Sequence, residues 1–149
     1  MKTILIVEDD EPIGKSVQEL LIDEGYLANL VENGQLALDR LKADAVQPDL
    51  IILDLMMPVM GGLEFCSHQK NDPTIANIPV IVMSANAHFA DECKQAGAKA
   101  FMKKPVDIIY LLEMVKLHSE KGDTVTTPIS TPTATAAAAS ITTLTPPTA

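Results

Sequence analysis

The stretch Leu50-Ile51-Ile52-Leu53-Asp54-Leu55-Met56-Met57-Pro58 decides the fold. It opens as an unbroken apolar run with no polar alternation, which predicts a strand buried on both faces of a parallel sheet. Asp54 stands where that run stops. With Pro58 and the Gly61-Gly62 pair behind it, this carboxylate belongs at the carboxyl end of a central strand, in the crevice where open α/β sheets hold their chemistry.

Working outward, Ile4-Leu5-Ile6-Val7 is a second fully apolar strand, and it ends in Glu8-Asp9-Asp10-Glu11-Pro12. Pro12 suits a first helical turn and the acids suit its positive end. A helix over 12–24 is therefore predicted, with Ile13, Val17, Leu20 and Leu21 inward and Gly25 closing it. Tyr26 to Val31 reads as a shorter strand, Asn33-Gly34 as a turn, and Gln35 to Ala43 as a helix with Leu38 and Leu41 inward. Beyond the central strand, Leu63 to Lys70 fits a helix that buries Leu63, Phe65 and Cys66, and Pro73 and Pro79 bracket a loop. Val80-Ile81-Val82-Met83 is a fourth apolar strand, ending in Ser84-Ala85-Asn86. A helix over 87–96 closes at Gly97, Ala98 to Met102 form a fifth strand running into Lys103-Lys104-Pro105, and Val106 to His118 form the last helix. Five strand–helix alternations imply right-handed crossovers and helices on both faces. The predicted fold is α/β: a doubly wound, flavodoxin-like, five-stranded parallel sheet of order 2-1-3-4-5 with five helices.

A chain of 149 residues with 47% hydrophobic side chains has room for one ordinary domain, placed at residues 1–121. Residues 122–149 are expected to be a disordered tail or linker, because Thr, Pro, Ala and Ser dominate from 124 onward and no charged side chain follows. The net charge of −9, with Arg40 the only arginine, excludes the basic footprint of a nucleic-acid binder. Two cysteines, Cys66 and Cys93, are too few for a disulfide framework and fit reduced thiols in a cytoplasm. No signal peptide or membrane-crossing run is evident, so a cytoplasmic protein is expected, with no membrane partner.

Strand ends deliver polar groups to one predicted rim: Glu8 and Asp9 after the first, Asp54 at the third, Ser84 after the fourth and Lys104 after the fifth. Adjacent parallel strands lie roughly 4.8 Å apart, which brings these carboxylates within reach of one ion. Two like charges 4 Å apart repel by about 4 kcal/mol at an effective dielectric near 20, so a cation belongs among them. Oxygen-only ligands with open positions favour Mg²⁺, with Mn²⁺ as the other candidate. Lys104 alone leaves negative charge uncompensated, but its ammonium suits a phosphoryl oxygen.

From Thr3 to about His118 the chain resembles the receiver domain of two-component response regulators. The resemblance rests on Ile6-Val7-Glu8-Asp9-Asp10, Asp54-Leu55-Met56-Met57-Pro58-Val59-Met60-Gly61-Gly62, Met83-Ser84-Ala85 and Phe101-Met102-Lys103-Lys104-Pro105. It implies a signalling domain rather than an enzyme, in which Asp54 accepts a phosphoryl group from a phosphohistidine on a sensor histidine kinase or phosphotransfer protein. Mg²⁺ would be held by Asp9, Asp54 and the backbone carbonyl of Met56, with Glu8 acting through water. Ser84 would hydrogen-bond the phosphoryl oxygen, Lys104 would pair with it, and the Lys104-Pro105 bond would be cis. The switched face would be helix 4, strand 5 and helix 5, with Phe101 as the buried aromatic that changes rotamer and with a downstream protein or a homodimer as partner. Many receivers carry tyrosine there, so readout through Phe101 rests on shape alone. Gly61 replaces the more usual Asp or Asn and removes a possible helix cap.

Met56 offers no side-chain base or donor to orient an attacking water, which predicts a phosphorylated state lasting minutes or longer. In the last helix, Ile108, Leu111, Leu112 and Val115 share one face, while Tyr110, Met114 and Leu117 form a second stripe that is either core or partner surface. Two other classes share parts of the pattern. A Mg-dependent phosphatase of the haloacid-dehalogenase type also uses an aspartate nucleophile, but needs a second aspartate where Met56 stands. A flavodoxin-like FMN binder needs a neutral phosphate loop where Glu8 to Glu11 stand.

Overall fold

The computed structural model describes residues 1–120. Five strands, β1 (Thr3–Val7), β2 (Leu27–Val31), β3 (Leu50–Asp54), β4 (Val80–Ser84) and β5 (Ala100–Lys103), pair in parallel in the order β2-β1-β3-β4-β5. Helices α1 (Glu11–Asp23), α2 (Gly34–Ala43), α3 (Gly62–Lys70), α4 (Ala90–Gln95) and α5 (Ile108–Ser119) follow the strands in turn. The order is the predicted one. Every residue of β3 and β4 is buried, as their unalternating composition requires.

Two-residue periodicity divides these strands between two cores. Leu5, Val7, Ile51, Leu53, Val80 and Val82 face a layer containing Leu38 and Leu41 of α2, Phe65 and Cys66 of α3 and Cys93 of α4. Ile4, Ile6, Leu50, Ile52, Ile81 and Met83 face Val17 and Leu21 of α1 and Leu111 and Val115 of α5. The sheet is thus covered on both sides, and Asp54 and Ser84 end β3 and β4 at its carboxyl rim.

Several local expectations change. Ile13 is 37% exposed rather than inward, because the residue of that first turn that packs on the sheet is Gly14, against Leu30 of β2. Asn33-Gly34 is not a free turn: the Asn33 side chain caps α2, accepting from Leu36 N at 2.9 Å. Leu63 is half-buried against the first core. The segment expected as one helix over 87–96 begins as a 3-10 turn, Ala87–Phe89, capped by the Asn86 side chain, and only then becomes α4. α5 starts at Ile108, two residues later than expected, after Asp107 accepts from Tyr110 N at 3.1 Å. On α5, Leu111 and Val115 are buried and Leu112 half-buried, but Ile108 is 57% exposed. Of the second stripe, Met114 packs on the core while Tyr110 and Leu117 are exposed. The expected tail at 122–149 lies outside the described residues.

Candidate functional site

β1 and β3 pair with Val7 opposite Leu53, so the next residues along each strand, Glu8 and Asp54, emerge side by side at the rim. Asp9 follows in the loop to α1. One carboxylate oxygen from each of Glu8, Asp9 and Asp54 lies within 4.8 Å of the other two, the sole such metal-ligating group among the described residues. Glu8 and Asp54 are buried and Asp9 is exposed. The three acids therefore have one open side. Glu8 and Asp9 also line one end of a cleft of about 500 Å³ that runs past Val31 and Leu36 to Arg40.

Local backbone contacts fix each side chain. Asp54 Oδ1 accepts from Leu55 N at 2.8 Å, and Glu8 Oε2 accepts from Asp10 N at 3.2 Å. Asp10 in turn caps α1, its Oδ1 accepting from Ile13 N at 3.1 Å. Gly62 closes the loop after β3 by donating to Leu55 O at 2.9 Å. A Cβ at this position would stand 2.5 Å from the carbonyl oxygen of Asp54 and 2.9 Å from Leu55 Cα. Only glycine lets α3 pack this closely behind the aspartate. Gly61 supplies no side-chain cap to α3, as its residue type implied.

Ser84 and Lys104 reach the same rim. Lys104 N donates to Ser84 O at 2.9 Å, extending the pairing of β4 and β5, and the Lys104-Pro105 bond is cis. The ammonium of Lys104 lies 2.6 Å from Glu8 Oε1 and 3.5 Å from Asp54 Oδ1. Its main partner here is Glu8, which the sequence did not reveal. The Ser84 Oγ is buried and accepts from Asn86 N at 3.1 Å, leaving its proton available to a further acceptor. Phe101 pairs with Val82 across β4 and β5 and is half-buried rather than buried. Met56 is 65% exposed in the loop directly after Asp54.

Burial and charge together set the titration of Glu8 and Lys104. Burial pushes Glu8 up to about 7, and the negative charge of Asp54 adds to that rise, against the hydrogen bonds from Lys104 and Asp10 N. Burial disfavours the Lys104 ammonium, yet the Glu8 hydrogen bond and the charges of Asp54 and Glu8 raise it above its ordinary value. The two directions agree physically: one ammonium gains from two carboxylates, while Glu8 has lost its water and also faces Asp54. With all three acids ionised, Lys104 leaves two negative charges uncompensated. Three convergent carboxylate oxygens, an open side and that charge deficit fit one divalent cation of the Mg²⁺ type.

The fold and this rim define a receiver, and the chain belongs to the response regulator receiver domain family, which residues 4–116 match. It is similar to the polar-differentiation response regulator DivK of Brucella anthropi, 35% identical over 119 residues that span 78% of this chain and 95% of the relative. Among solved structures, it is similar to the phosphorylated cyanobacterial phytochrome response regulator RcpA. There the identity is 31% and the TM-score 0.67, covering 77% of this chain and 89% of that one. It is also similar to the receiver domain of the sensor histidine kinase PA1611 from Pseudomonas aeruginosa, which has a magnesium ion coordinated in its active-site cleft. That match has 26% identity and a TM-score of 0.71, covering 79% of this chain and 97% of that one. Members of this family are signalling domains that work with histidine kinases or phosphotransfer proteins and with downstream targets.

Sequence reasoning missed two contributors. Gly62, which the sequence offers only as half of the Gly61-Gly62 pair, is a packing requirement behind Asp54. Val59 has φ 70°, within the turn closed by Met60 N donating to Pro58 O at 2.8 Å. A β-branched residue carries no signal for that conformation.

Proposed function

We propose that this chain is the phosphoacceptor of a two-component phosphorelay, with Asp54 as the nucleophile. The carrying observation is the convergence of Glu8, Asp9, Asp54 and the Lys104 ammonium on one rim. A divalent cation would be held by Asp9, Asp54 and the Met56 carbonyl, with Glu8 acting through water. When bound, it supplies neutralisation of the charge on the transferring phosphoryl oxygens.

The chain's own residues do the rest. The Asp54 oxygen that does not accept from Leu55 N is the one directed to attack; its bond to phosphorus forms as the P–N bond of a phosphohistidine breaks. The imidazole leaves with the electron pair and is protonated from solvent. Lys104 shifts from Glu8 toward the new phosphoryl oxygens, which carry more negative charge than a single carboxylate. Ser84 donates its hydroxyl proton to the same group. Ser84 ends β4 and Lys104 directly follows β5, so the pull moves Phe101 and the exposed Tyr110 and Leu117 further along the chain. The face of α4, β5 and α5 is then the partner or homodimer surface, and its ligand is selected by shape. The exposed thioether of Met56 cannot activate water, so the acyl phosphate is long-lived. The chain acts in the cytoplasm and makes no direct contact with nucleic acid.

The test is incubation with Mg²⁺ and phosphoramidate, a donor with the same P–N bond, followed by intact mass. One phosphoryl group is expected on the wild type and none on Asp54→Ala or in excess chelator. Equal labelling of Asp54→Ala would remove the reading. No observation favours a phosphatase, since the position two residues after Asp54 holds Met56.

A further inference from the structure

β2 is an edge of the sheet, and its pairing with β1 settles which way its backbone turns. Leu27 N donates to Lys2 O at 2.9 Å and Glu8 N donates to Val31 O at 3.0 Å, in the register Thr3↔Leu27 to Val7↔Val31. The in-plane groups of a strand alternate in direction, so Ala28 and Leu30 hold their N–H and C=O away from β1. Gln18 of α1 covers the first of these, its Nε2 donating to Ala28 O at 2.9 Å. No described residue bonds to the Leu30 backbone on that side, which leaves it a template for another chain.

The cleft of about 500 Å³ that begins at Glu8 and Asp9 opens beside this residue. Its two sides differ. Val31 packs with the α2 layer, where Leu36, 40% exposed, adds apolar surface, while Leu30 packs with the α1 layer, where Glu11 brings a charge. Glu32, directly after β2, lines it too, and both of these acids are exposed. Arg40 is the one cation of the lining, and its guanidinium is already paired with Asp44 at 3.2 Å. The surroundings share the sign. Residues 1–54, which form β1, β2, β3, α1 and α2, hold 12 of the chain's 20 acids but four of its 11 lysines and arginines. A second copy presenting this edge is repelled, and a basic segment is drawn in.

We propose that an extended segment of a partner protein, alternating basic and apolar residues, docks on the edge of β2. Its backbone pairs with the Leu30 N–H and C=O. Successive side chains of an extended chain point to opposite faces, so its apolar residues rest on Val31 and Leu36 while its lysines or arginines meet Glu11 and Glu32. The site needs no phosphoryl group and survives failure of the phosphorelay reading. The probe is a capped hexapeptide of alternating lysine and valine, titrated into the full chain with Mg²⁺ present and followed by amide nitrogen–proton shifts. Saturable shifts are expected from Leu30 to Leu36, with slowed hydrogen exchange at the Leu30 amide. The same peptide methylated at every backbone nitrogen binds about tenfold more weakly, as lost backbone pairing implies. Glu11→Lys with Glu32→Lys, both outside the phosphoryl rim, also weakens binding about tenfold, and Glu11→Gln with Glu32→Gln gives a smaller loss in the same direction. Shifts that do not saturate or that centre elsewhere, equal binding of the methylated peptide or of a glutamate–valine peptide, or an unchanged affinity in the double variants each overturn the proposal.

Discussion

Replacing Glu8 by glutamine isolates the electrostatic tension at the rim. Glu8 is 1% exposed, and its pKa is raised from 4.5 to about 7, chiefly by burial. That difference corresponds to about 3 kcal/mol for holding the carboxylate ionised in the fold without a divalent cation. The sign is opposite to that of an acid whose ion pair outweighs its burial, because here burial outweighs the Lys104 contact. Below the unfolded value both states are protonated and nothing is lost. As pH rises toward 7, the unfolded chain releases a proton that the folded chain retains, so stability falls. Above about 7 the whole penalty is present. Lys104, raised above its ordinary value, stays charged throughout and contributes only a constant offset. The quantity to follow is the wild-type stability minus that of Glu8→Gln, from urea unfolding in chelator, which cancels whatever the two chains share. It should fall by about 3 kcal/mol between about pH 4 and pH 8. Saturating Mg²⁺ should abolish that fall by occupying the acids. A difference that stays level or rises with pH would refute the reasoning.

Four further outcomes follow from the same geometry. Gly62→Ala drives a Cβ against the Asp54 carbonyl and Leu55 Cα, which should destabilise the domain by about 1–3 kcal/mol in chemical denaturation and slow phosphorylation. Val59→Asn relieves the φ of 70° on an exposed β-branched residue and should stabilise by about 1 kcal/mol, read as a higher urea midpoint. The phosphorylated isolated domain should persist for minutes or longer and Met56→Asn should shorten that lifetime; wild-type decay within a few seconds contradicts the account of Met56. Tyr110→Asp should leave urea stability nearly unchanged, since the side chain is 42% exposed, while weakening phosphorylation-dependent self-association or partner binding in sedimentation.

The sheet was legible because its strands bury both faces: Leu50 to Leu53 and Val80 to Met83 carry no polar residue to confuse the period. The rim was legible for the same reason, since each polar residue stands where an apolar run ends. Helix faces were less so. Ile13 and Ile108 lie in first turns where helical spacing counts them as inward, yet in α1 it is Gly14 that meets the sheet, and Ile108 stays 57% exposed. Asn33-Gly34 carries a turn signal, and the following helix claims the Asn33 oxygen as its cap. The partner of Lys104 was hidden because residue types name charges and not which carboxylate is nearer. Gly62 and Val59 were hidden because backbone crowding and a positive φ leave no mark on a single sequence.

The most direct measurement locates the acyl phosphate. The full chain is phosphorylated with phosphoramidate and Mg²⁺, reduced with borohydride so that an aspartyl phosphate becomes homoserine, and mapped by peptide mass spectrometry. The account predicts homoserine at position 54 alone, lost when Mg²⁺ is withheld. Homoserine at position 9, a phosphoryl group on histidine, or labelling indifferent to Mg²⁺ would contradict it.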